Sequence, residues 1–157
     1  MWRSNELPEF RFHLLERRRL DGALPDLLTA ALAEGLRVVV QTPDAGTREA
    51  LNERLWTYAD DSFLAHGGPG DGDPATQPIF LTETDEAPNG AGLRVLLAPA
   101  DALRFVSHAA TRIVVLFEAR DEEAMAAARV AWKALRDAGV AASYWREGDE
   151  GDWVKAR

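Results

Sequence analysis

Arg129, Lys133 and Arg136 fall at i, i+4 and i+7, so on a helix they form one stripe, and Trp132 lies beside them. Guanidinium groups pair with carboxylates, and an indole packs an apolar tip. The face therefore suits an acidic peptide ending in an apolar residue, and single-stranded nucleic acid fits it as well. A structural account competes with both. Cations near a helix C-terminus, with Asp121, Glu122 and Glu123 at its start, complement the macrodipole, and Trp132 can belong to the core.

Other chemistry is poorly supplied. The run Gly67-Gly68-Pro69-Gly70-Asp71-Gly72 offers amides to a phosphate, yet no Gly-Lys-Ser/Thr follows and no GxGxxG register can be written. Aspartates in and beside that loop would repel phosphate. Histidines 13, 66 and 108 lack metal-ligand spacing, Ser62, Ser107 and Ser143 lack a nucleophile elbow, and cysteine is absent. No catalytic group, metal site or cofactor is expected. Trp56 and Phe63 flank the polar connection 57–62, where they serve either as core or as an anchor pair for a partner protein. Arg17, Arg18 and Arg19 read as a surface loop.

Apolar runs of strand length alternate with helical patterns, which is the mark of an α/β layer fold. Strands are expected at 10–15, 37–41, 62–65, 78–82, 93–97, 112–117 and 141–145. Between them lie a helix opened by Pro25 and stopped by Gly35, a second over 45–57 with Ala50, Leu51, Leu55 and Trp56 inward, a short one over 101–106, and a long one from the Asp121 cap to Gly139. Three consecutive valines, Val38 to Val40, suit a strand covered on both faces. The expected fold is a single three-layer α/β domain over residues 1–157 with a mainly parallel central sheet, Rossmann-like but without a nucleotide-binding motif.

The chain has 157 residues, 46% of them hydrophobic and 28% charged, within the range of one ordinary globular domain. Its net charge of -8 disfavours a protein that wraps duplex DNA or coats an anionic membrane. From Leu55 to Leu93 there are seven acids and no Lys or Arg, which accounts for nearly all of that charge. No apolar run is long enough to span a bilayer, and Met1 to Glu9 lacks the apolar core of a signal peptide, so a cytoplasmic location is expected.

The blocks Phe12-His13-Leu14, Leu55-Trp56-Thr57-Tyr58, Ser62-Phe63-Leu64, His66-Gly67, Gln77 to Thr82 and Asn89-Gly90-Ala91 resemble, in that order, the chi subunit of bacterial DNA polymerase III. So do Ala128 to Gly139, Tyr144-Trp145 and Gly151-Asp152-Trp153, which extends the likeness from about Phe10 to Lys155. The resemblance implies a non-catalytic accessory protein of the clamp-loader assembly, with a nucleotide-binding type of fold but no nucleotide. It also implies that Arg129, Trp132, Lys133 and Arg136 receive the acidic C-terminal tail of single-stranded-DNA-binding protein. Met125 stands where some members carry a further basic residue. Trp56 and Phe63 match aromatics that join the family to the psi subunit, or an equivalent clamp-loader component. DNA contact would then be mainly indirect, and no membrane is involved. The competing class is a small-molecule or nucleotide-binding enzyme on a doubly wound sheet, with its ligand at the carboxyl ends of the strands.

Overall fold

Strict alternation along Glu9 to Leu15 sends Phe10, Phe12 and Leu14 to one side of a strand and Arg11, His13 and Leu15 to the other. The computed structural model describes residues 9–56, 66–105, 112–150 and 152–157. In chain order its elements are β1 (Glu9–Leu15), α1 (Leu20–Ala33), β2 (Val38–Gln41), α2 (Ala45–Trp56), β3 (His66–Gly67), β4 (Ile79–Thr82), β5 (Leu93–Leu96), β6 (Arg112–Glu118), α3 (Glu122–Asp137), β7 (Ala141–Glu147) and β8 (Trp153–Lys155). Short 3-10 turns cover Pro74–Thr76 and Pro99–Phe105. The result is a mixed α/β fold whose strands pair mainly in parallel, as the valine-rich runs predict.

The chain forms two compact units, Asp21–Val95 and a second made of Met1–Leu20 with Leu96–Arg157. In the second unit β1 lies between β6 and β7, parallel to both, and β8 runs antiparallel to β7. Phe10, Phe12 and Leu14 meet Ile113, Val115 and Phe117 of β6 and Ala128, Ala131 and Leu135 of α3 in one buried cluster. The small alanines let the helix approach the strands closely, and Phe12 meets Phe117 edge to face at 6.5 Å.

In the other unit β3, β4 and β2 run side by side in parallel. All four residues of β2 and of β4 are buried. Here Arg94, only 4% exposed, donates to the Gln41 side chain and to the carbonyls of Asp85 and Glu86. Those bonds hold the acidic turn after β4.

Both long helices end as their glycines predict. Gly35 and Gly139 have φ of 81° and 73°, and Leu36 and Val140 donate back to the Ala31 and Leu135 carbonyls. At the start of α3 the Asp121 carboxylate accepts from the Ala124 amide at 3.0 Å. Asp121→Ala is expected to cost about 1 kcal/mol, read as a lower denaturant midpoint with an unchanged slope.

Four local expectations differ from the structure. The first helix begins at Leu20 rather than at Pro25, because the Glu118 carboxylate accepts the Leu20 amide at 2.8 Å and supplies the cap from a distant strand. Ala50 is exposed, while Leu51 and Leu55 are buried. The short helix after β5 is a 3-10 turn, and β8 is an additional strand. The strand expected at 62–65 lies outside the described residues.

Candidate functional site

A groove of about 480 Å³ runs along α3. The parallel register of β1 and β7 sets Phe12 opposite Tyr144 and Leu14 opposite Arg146. These even-numbered side chains stand on the face that α3 covers, and the helix covers it incompletely. Met125, Ala128, Arg129 and Trp132 form one wall and Tyr144 and Arg146 the other, with Leu14 and Glu16 at the β1 side. Ala156 and Arg157 complete the groove. They are held along β7 by a bond from the Tyr144 amide to the Arg157 carbonyl at 2.9 Å and one from the Ala156 amide to the Tyr144 carbonyl at 2.7 Å.

Trp132 is half-buried and fixed on three sides. Its ring meets Phe12 edge-on at 5.7 Å and Tyr144 at 5.9 Å, and the Arg136 guanidinium lies 5.4 Å from its centroid. Burial raises the Tyr144 phenol pKa, Glu16 adds to the rise, and Arg146, Arg129 and Arg157 oppose it. Three cations and one acid thus surround one phenol. Among the described residues, no acid lies in ion-pair range of Arg129 or Arg157. An apolar floor under cations that lack acidic partners can hold an anionic ligand with an apolar end.

The sequence stripe is only partly one site. Arg129 and Trp132 line the groove, and Arg136 joins it by covering the indole. Lys133 is not a lining residue and pairs instead with Asp137 at 2.9 Å on the exposed helix surface. Spacing along α3 did not reveal Tyr144, Arg146, Arg157 or Glu16, which arrive from other elements. Period-two alternation shared by β1 and β7 is the signal that places three of them. Trp56 is the last residue of α2, its side chain lies outside the described part of the structure, and so does Phe63.

The remaining candidates among the described residues sit in structural surroundings, and Ser62 and Ser107 lie outside the described residues. His13 is 6% exposed between Trp145 and Trp153, at 5.9 Å and 4.5 Å, and burial followed by the Arg11 charge lowers its pKa to about 3. It is therefore neutral at physiological pH. His66 is buried in β3, and His108 lies outside the described residues. Among the described residues no three His, Asp or Glu side chains group to hold a metal ion. The glycine-rich turn satisfies itself, since the Asp71 carboxylate accepts the Gly68 amide at 3.0 Å, where a phosphate would have to bind. Ser143 accepts the Trp145 indole N–H at 2.8 Å. No described helix is long and apolar enough to cross a membrane.

Fold and site together define a class: a mixed α/β protein with a cation-rimmed apolar groove along its last helix. The chain belongs to the family described as "DNA polymerase III chi subunit, HolC", whose model matches residues 7–143. It is similar to the "Probable DNA polymerase III subunit chi" of Rickettsia prowazekii (strain Madrid E), with 33% identity over 84 residues, 54% of this chain. The match spans about half, 51%, of that relative. The family resemblance seen in the sequence is thus borne out. The family match takes in the α3 wall of the groove and stops just before Tyr144.

Proposed function

We propose that this chain is a non-catalytic adaptor in DNA replication. It holds the acidic C-terminal tail of single-stranded-DNA-binding protein in the groove beside α3 and links it to the clamp-loader assembly of DNA polymerase III. The observation that carries this reading is the pairing of Arg129 and Arg157, which have no acidic partner among the described residues, with the apolar surface of Trp132, Tyr144 and Met125. Tail carboxylates would pair with the guanidinium groups and the apolar tip would pack on the rings. The gain is a tether: binding one end of the assembly raises the effective concentration of the other near its template. A net charge of -8 favours a short acidic peptide at a local basic groove over direct binding of a DNA strand. Trp56 and Phe63 are assigned to the second contact, with psi or an equivalent clamp-loader component.

The test is fluorescence anisotropy of a labelled acidic peptide with an apolar terminal residue, beside an oligonucleotide of similar length. Arg129→Ala is expected to weaken the peptide about tenfold or more and to flatten its salt dependence. Lys133→Ala, outside the groove, is expected to do much less. A wild-type affinity that ignores salt, or preference for the oligonucleotide, contradicts the reading.

A further inference from the structure

The groove contains a carboxylate of its own. Glu16, the residue after β1, reaches Arg146 of β7 with both oxygens: Arg146 Nε donates to Oε1 at 3.0 Å and Nη2 to Oε2 at 2.7 Å. Both residues line the groove. Two parallel bonds between a guanidinium and a carboxylate are the geometry a ligand carboxylate would seek. One of the three groove arginines is therefore already engaged, and Arg129 and Arg157 have no acidic partner among the described residues.

We propose that Glu16 is a specificity-determining residue of this groove: it occupies the Arg146 fork when the groove is empty and yields it to a ligand carboxylate. The inference rests on the tail-binding reading above. The backbone makes the exchange local. The amides of Glu16, Arg17 and Arg18 donate to Glu147 Oε1 at 2.7, 2.7 and 3.3 Å, and the Glu147 side chain is 2% exposed. The main chain under Glu16 is thus pinned, while its side chain is 34% exposed and can turn into water. Displacing it requires a side-chain rotation rather than a loop movement.

Two consequences follow for ligand choice. A ligand that reaches only Arg129 leaves the Glu16–Arg146 pair intact and meets the Glu16 charge as repulsion. A ligand with successive carboxylates replaces that pair and recovers its hydrogen bonds, so a clustered acidic segment is favoured over an isolated anion.

The experiment is a double-mutant cycle on peptide affinity, with Glu16→Gln, Arg146→Ala and the combined variant, each checked for wild-type circular dichroism. Glu16→Gln is expected to tighten the acidic peptide about three- to tenfold, and Arg146→Ala to weaken it. In the Arg146→Ala background the Glu16→Gln gain should shrink to the salt-sensitive part that comes from removing the Glu16 charge alone. An undiminished gain there comes from the general field of Glu16 and overturns the inference, as does unchanged or weaker binding by Glu16→Gln. In those cases wild-type binding still stands and with it the tail-binding reading. Absence of binding by every variant overturns that reading, and this inference with it.

Discussion

Trp132→Ala is expected to lower affinity for the acidic peptide about 30-fold or more, equivalent to roughly 2 kcal/mol, and to lower fold stability by about 2–3 kcal/mol. The two losses share one cause. The ring forms a wall of the groove and at the same time closes the cluster above Phe12 and Tyr144, so its removal opens a cavity and deprives the ligand of its apolar contact. It also frees Arg136, whose guanidinium rests on the indole. Trp132→Phe separates the effects: much of the packing returns, and with it the denaturant midpoint, while the smaller ring leaves the ligand partly uncovered. Wild-type affinity in a folded Trp132→Ala protein would remove Trp132 from the site.

Glu147→Ala is expected to cost about 2–3 kcal/mol at neutral pH, because three amides and the Arg18 guanidinium lose their common acceptor. Burial pushes the Glu147 carboxyl up, but the bonds from Arg17, Arg18 and Glu16 outweigh it and hold the pKa below its ordinary 4.5. A carboxyl with a folded pKa below its unfolded value contributes stability in full above the unfolded pKa. That contribution is lost as pH falls through the folded one. The stability gap between wild type and Glu147→Ala should therefore be full near neutrality and narrow, without vanishing, as pH falls below 4.5, because only the part set by the lowered pKa is lost on protonation. Denaturant midpoints across that range provide the check, and a gap independent of pH would mean that the carboxylate charge plays no part. Because Glu147 also fixes the main chain of Glu16, the same variant is expected to weaken discrimination among acidic peptides.

How much of this was legible in the sequence depends on where each residue's partners lie along the chain. The ends of α3 were readable, since Asp121 and Gly139 act at the helix's own termini. The start of α1 was not, because its cap is Glu118, almost a hundred positions away. Pro25 looked like a first-turn signal and is instead the sixth residue of the helix, where its missing N–H removes one bond of the intrahelical ladder. Helical spacing joined Arg129, Lys133 and Arg136 into one face. Only the position of β7 beside the helix decides that Arg129 faces a groove while Lys133 faces solvent and Asp137. Arg157 was out of reach for the same reason, and strand alternation places Arg146 and Glu16 on one face only once β1 and β7 are known to be neighbours, which a one-dimensional pattern does not tell.

The central claim, that the groove between α3 and β7 receives an acidic peptide, is tested most directly by amide chemical-shift mapping on isotope-labelled protein titrated with that peptide. The account predicts saturable shifts at Met125 to Arg136, at Tyr144 to Arg146, at Ala156 and Arg157 and at Glu16, with α2 and the glycine-rich turn unchanged. Shifts confined to α2 and that turn, with α3 and β7 unmoved at saturation, would contradict it.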